Sequence, residues 1–134
     1  MNIRNFIIAC VIFIILDGTW IMINNNYYNN LAIKIQKEPI ELKIPAIIIT
    51  YILLFISLFF CIRYIELETK FNIDKNKNYL KIIPLSILFG LTVYGIYSYT
   101  TSIFLKNYNY TNAIIDTLWG GVLYSIPSII YFSL

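Results

Sequence analysis

Four long apolar blocks run along this chain, with short polar stretches between them. They cover residues of about 5–24, 44–63, 82–105 and 112–133. Crossing roughly 30 Å of hydrocarbon takes about 20 helical residues. Blocks two and three reach that length with no charge in their interiors, and block four carries one, Asp116, near its start. The pattern predicts an all-α chain, residues 1–134 forming one domain of four transmembrane helices.

The first block needs a closer argument. Its pure apolar run, Phe6 to Leu16, is short and follows Arg4, an outline shared with signal peptides. No small-x-small cleavage pattern follows; instead come Asp17, Gly18, Thr19 and Trp20, then Ile21, Met22 and Ile23. Each central Ile, Leu or Phe favours insertion by about 0.3–0.6 kcal/mol, and one central Asp costs about 3. The apolar residues outweigh Asp17, so a span is expected.

Prolines and connections fit this outline. Pro45 and Pro84 are expected in the first turns of helices two and three, where a missing N–H costs little. Pro127 lies within block four and predicts a kink, or else an early end to that helix. Between Asn25 and Lys43 the chain is expected to extend the first helix or form a short interfacial one, with Tyr27 and Tyr28 at headgroup depth. Arg63 to Lys81 carries charges of both signs. Lys106 to Thr111 has room only for a tight turn, so the last two helices are antiparallel neighbours.

Composition strengthens the membrane reading. The chain is 59% hydrophobic and only 13% charged, with a mean hydropathy of +0.71. A soluble domain carries about 25% charged residues, and a chain this small has no core large enough to hide the excess apolar surface. The net charge of +3 is spread over scattered lysines, so no nucleic-acid partner is expected. With no histidine, the commonest metal ligand and general base is missing. No metal, cofactor or catalytic set is expected. Cys10 and Cys61 lie in apolar runs and read as buried, reduced thiols. The expected partners are the lipid bilayer and either a second copy or another membrane protein. Six Lys and Arg fall on the side of the N-terminus and four on the other, which favours cytoplasmic N- and C-termini. Asn109-Tyr110-Thr111 fits a glycosylation acceptor but lies too near a membrane edge to be read as one.

Candidate chemistry centres on two carboxyls. The chain has three aspartates and two tryptophans, and each tryptophan follows an aspartate by three residues: Asp17–Trp20 and Asp116–Trp119. This reads as an internal repeat, on helices of opposite direction, as in the inverted repeats of transporters. Spacing of i, i+3 puts each Trp on the face of its Asp. The carboxyls should lie roughly 10 Å and 6 Å inside the same membrane face. Gly18, Gly120 and Gly121 are expected to let the helices approach there. An acid in hydrocarbon normally faces a cavity or a partner. The functional reading is a proton or cation site; the plainer reading is a pair of interhelical hydrogen-bonding groups with interfacial Trp anchors.

Helix three adds a polar stripe of Tyr94, Tyr97, Ser98 and Thr101, widened by Thr92, Tyr99, Thr100 and Ser102. These hydroxyls would either line a cavity with the aspartates or bond helices together. Helix two, with only Thr50, Tyr51 and Ser57 as polar interior groups, reads as lipid-facing scaffold.

Taken together these residues resemble a family of small bacterial and viral membrane proteins, domain of unknown function 2177. The resemblance spans nearly the whole chain. It rests on Leu16-Asp17-Gly18-Thr19-Trp20, the pair Tyr27-Tyr28, more loosely on Tyr51, and most on Tyr94-Gly95-Ile96-Tyr97, Thr100, Leu105 and Asp116-Thr117-Leu118-Trp119-Gly120. The family pattern has an Asp and an Asn where this chain has Ser98 and Thr101. The resemblance thus implies that one of three family acids has been lost, and it supplies a four-helix fold without a reaction.

Three functions compete at this point. One is a small carrier or channel using Asp17 and Asp116, which at four helices would work as a homodimer. Another is an accessory or structural membrane protein. The third is a lipid-acting enzyme with the carboxyls as acid and base. It is the weakest, because no His-Glu-x-x-His, Gly-x-Ser-x-Gly or phosphate-cradling loop is present.

Overall fold

The computed structural model describes residues 1–69 and 75–134, all helix or short connection. Five helices follow in order: α1 (Ile3–Ile23), α2 (Asn25–Gln36), α3 (Ile44–Thr69), α4 (Lys75–Phe104) and α5 (Tyr110–Ser133). Four of them, α1, α3, α5 and the Asn78–Phe104 part of α4, are long and apolar enough to cross a membrane. Among the described residues there is no strand.

Helix ends follow local chemistry. The Asn2 side chain accepts from the N–H groups of Arg4 and Asn5 at the start of α1. That of Asn109 accepts from Asn112 N–H and caps α5. The sequon asparagine is therefore occupied as a helix cap. Lys37 ends α2 in the left-handed region, φ 67°. Pro45 is the second residue of α3, as expected. Pro84 is not in a first turn: α4 begins earlier than the apolar block and encloses it. The polar turn before residue 82 is helical too, because helix needs backbone pairing, whereas hydropathy marks only the lipid-immersed part. Pro127 does not end α5, which continues to Ser133.

The four long helices form a ring. α5 packs along α4 and against α1, and α4 packs against α3. Aromatic edges close the ring between α1 and α3: Phe6 meets Phe59 at 5.9 Å, and Phe13 meets Phe55 at 6.2 Å between ring centres. Ala9, Phe13, Leu58, Ile62, Leu123 and Tyr124 fill the middle with no exposed surface. Of the three glycines expected at close approaches, Gly120 and Gly121 are there and Gly18 is not. A Cβ on Gly120 would lie 2.5 Å from Tyr94 Cβ, so close approach is real at Gly120, and α4 contributes Gly90 to it. A Cβ on Gly121 would lie 3.3 Å from Leu91 Cδ2, a tight approach to a side chain, whereas nothing lies within 4 Å of a Cβ on Gly18. Gly18 does not mediate packing. The thiols are free; Cys61 is buried and Cys10 half-buried.

The two ends of the ring differ. At one end Glu66 accepts from Tyr131 Oη and pairs with Arg63 at 2.9 Å, while Asn2 N–H donates to Tyr131 Oη at 2.9 Å. At the other end α2 is fastened to the α4–α5 turn: Asn107 Nδ2 donates to Lys34 O at 2.7 Å, and Tyr27 Oη donates to Asn112 Oδ1. Of the two expectations for this stretch, the separate short helix is the one observed.

Candidate functional site

Asp17 lies six positions before Ile23, the end of α1, and Asp116 lies six positions after Tyr110, the start of α5. At about 1.5 Å per residue, both carboxyls sit about 9 Å inside the α2 end. The helices are antiparallel, so the two acids share a level.

Each carboxyl oxygen accepts one hydrogen bond. Asp17 Oδ2 accepts from Tyr51 Oη at 2.9 Å, and Oδ1 accepts from Trp119 Nε1 at 3.3 Å. Asp116 Oδ1 accepts from Tyr28 Oη at 3.0 Å, and Oδ2 from Tyr108 Oη at 2.6 Å. All four donors are neutral. Among the described residues no Lys or Arg forms an ion pair with either acid.

The repeat is exchanged in space. Trp119 belongs to the second copy but serves Asp17 of the first. Trp20 belongs to the first copy and donates to Tyr28 Oη at 2.8 Å, which in turn donates to Asp116. The indoles stack on each other at 4.4 Å with 9° between their planes. Each Asp–Trp pair thus holds the other one. Offset-stacked rings at this distance contribute about 0.5–1.5 kcal/mol beyond their area.

A cavity of about 1080 Å³ opens between α1, α3 and α4 at this end, and both carboxyls line it. It is walled mostly by aliphatic and aromatic side chains. Lys43 stands at its rim, and the lining continues along α3 to Ser57. Beneath it Phe13 packs edge-on against Tyr124 at 5.4 Å, and Tyr124 bonds Ser57. This aromatic layer closes the floor.

The residues singled out in the sequence separate into two groups. Asp17, Trp20, Tyr94, Tyr97, Asp116 and Trp119 all line the cavity. Ser98 is fully buried near the Tyr108 hydroxyl, close enough to influence it, yet has no hydrogen-bond partner in good geometry. Thr101 is not brought to the cavity; its hydroxyl donates back to Tyr97 O at 2.8 Å. Thr92 and Ser102 do the same within their own helix. In these hydroxyls the backbone carbonyl one turn away wins over any distant partner.

Two readings need correction. Helix α3 is not plain scaffold, since Tyr51 holds Asp17 and Ser57 holds Tyr124. Nor is Tyr28 only a headgroup anchor, because α2 turns it inward onto Asp116. Tyr108 was missed altogether. The available signal was its position in a turn eight residues before an intramembrane acid.

Burial lifts the Tyr28 and Tyr108 phenols well above their ordinary value near 10, and the Asp116 carboxylate adds to both; the Trp20 N–H pulls Tyr28 partly back. Unfolded phenols lose protons near pH 10, whereas these two hold theirs in the fold. Stability from this source is full below pH 10 and falls as pH rises above it. Absorbance of tyrosinate during alkaline titration is expected to show late-ionising phenols. Tyr28→Phe with Tyr108→Phe should make the late fraction smaller by two phenols; an unchanged curve contradicts the assignment.

No curated protein and no solved structure matches the chain. The model of the family described as "Predicted membrane protein (DUF2177)" matches residues 2–132. That match takes in α1 to α5, both Asp–Trp pairs and the tyrosines around them. This chain belongs to that family of predicted membrane proteins.

Proposed function

We propose that the protein is a small membrane carrier whose Asp17 and Asp116 carboxyls bind a proton or cation. The observation that carries this is the shared cavity: two acids at one level, inside the span, facing one space, with no described Lys or Arg in an ion pair with either and Lys43 at the rim. Acids at such depth are expensive and are kept where an ion pathway uses them. A repeated Asp–Trp pair on antiparallel helices, with the site between the two copies, is in keeping with transporters built from inverted repeats. A one-sided cavity with an aromatic floor favours a carrier over an open channel. Four helices give one such cavity, and a homodimer supplies the second surface for it to work against. Six cationic residues against four favour cytoplasmic termini, with the cavity opening to the other side. Reporter fusions at either end should both read as cytoplasmic, and a reporter after Lys37 as external; the opposite pattern reverses the orientation.

The test is flux. Proteoliposomes holding the purified protein should carry protons or a monovalent cation down a gradient, above protein-free vesicles. Flux equal to that of empty vesicles rejects the carrier.

One observation favours a second reading, an accessory membrane protein. All four carboxyl oxygens already accept a bond: those on Asp17 tie α1 to α3 and α5, and those on Asp116 tie α5 to α2 and to the turn before it. Interhelical bonds in membranes contribute about 0.6–2 kcal/mol each. On this reading Tyr51→Phe lowers thermal stability by that amount, no flux is seen, and gentle extraction brings down a protein partner.

A further inference from the structure

Both carboxyls sit part-way down the cavity and leave apolar space beyond them. From Lys43 at the rim to Ser57 the lining on α3 runs for 14 residues, about 21 Å along the axis. The acids lie only about 9 Å in. Past them the wall is aliphatic, formed by Leu53, Leu54 and Val93. Beside them it is aromatic, formed by Trp20, Tyr94 and Trp119.

From this we infer that the site takes an amphipathic organic cation, a singly charged ammonium or similar head on an apolar body. The inference rests on the carrier reading above and names its substrate class. Chemistry at each level points the same way. Carboxyls held by neutral donors, with no described Lys or Arg in an ion pair with them, attract a cation and repel an anion of the same shape. Indole and phenol faces add attraction for a weakly hydrated cation, about 0.5–2 kcal/mol each when desolvated. A bare metal ion fits poorly. Hard cations want six or more oxygens, and no group of three His, Cys, Asp or Glu gathers among the described residues. The volume, about 1080 Å³, is that of a site for a drug-sized molecule, typically about 300–1000 Å³, and far exceeds what an ion needs. The open space beyond the acids accepts the apolar body. Such a ligand has two sources: a soluble lipophilic amine or the headgroup of an aminophospholipid.

Both tryptophans of the chain stand at the site, so indole fluorescence, excited beyond the absorption of the tyrosines, reports on it alone. The full chain in neutral detergent is titrated with tetraphenylphosphonium and, separately, with tetraphenylborate, which has the same shape and opposite charge. The cation should change the fluorescence saturably, and the anion should bind at least about tenfold more weakly. Asp17→Asn with Asp116→Asn should weaken cation binding by roughly tenfold to a hundredfold per carboxyl. Equal affinity for the two ions overturns the inference, and so does cation binding unaffected by the double substitution. If the double variant does not fold, the matched pair of ions on the native chain decides alone. Added phosphatidylethanolamine that competes with the cation assigns the ligand to the bilayer; absence of competition assigns it to soluble amines. The two levels fail separately. Proton flux without cation binding removes the substrate class and leaves the carrier, whereas binding without flux removes the carrier and leaves the site.

Discussion

Replacing Asp17 and Asp116 together by asparagine is expected to abolish flux through reconstituted protein. The amide keeps the shape of the carboxyl but only one of its two oxygens, so at each site one donor keeps an acceptor and a tyrosine hydroxyl turns to accept from the new amide N–H. It carries neither charge nor a transferable proton. A hydrogen bond to a charged group is worth about 1.5–3 kcal/mol, so losing two such partners weakens cation binding by about a hundredfold or more. The single substitutions should be unequal. Asp17 is the more buried, 8% exposed, so Asp17→Asn removes the charge that water screens least. Initial uptake rates in proteoliposomes, with incorporation checked on the same vesicles, measure the effect. Flux near the native level in the double variant removes both acids from the pathway.

Gly90→Ala should break the bundle, and Gly18→Ala should leave it intact. A Cβ at Gly90 would stand 2.0 Å from Gly120 O and 2.6 Å from Gly120 C. Both are backbone atoms of α5, so no side chain can swing aside and the helices must part. Overpacking of this kind costs about 1–3 kcal/mol and more where backbones touch. α4 and α5 form the tightest pair and carry Tyr94, Asp116 and Trp119, so their separation also spoils the site. At Gly18 the added methyl meets nothing within 4 Å, and alanine favours helix by about 1 kcal/mol over glycine. Thermal melting in detergent, followed by size-exclusion profile, should show a steep loss for the first variant and no loss for the second. A stable Gly90→Ala chain contradicts the packing of α4 on α5.

The spans were legible because lipid imposes a length and a polarity that composition cannot disguise. The acids and tryptophans were legible because charge is rare in such segments and the two pairs share a spacing. What could not be read was which face of each helix meets which neighbour. Gly18 and Gly120 look alike in the sequence, yet only Gly120 lies on a contact face. Thr101 has the spacing of the polar stripe, but its hydroxyl is satisfied one turn back in its own helix. Tyr51 stands alone in an apolar run, and only the ring closure of α1 against α3 makes it the partner of Asp17. The exchange of tryptophans between the two copies has the same origin. Sequence spacing ties Trp20 to Asp17, and the antiparallel packing ties Trp119 to it instead. Tyr28 reaches Asp116 because the chain turns at Asn24, a bend that hydropathy does not mark.

Carriage by this site requires the two carboxyls to act on one bound cation in one cavity. Infrared difference spectra of the protein in bilayers, with and without tetraphenylphosphonium, observe carboxyl groups directly. A carboxyl signal that loses one part with Asp17→Asn and the remainder with Asp116→Asn is the predicted result. A cation that perturbs neither group, or only one of them, would contradict it.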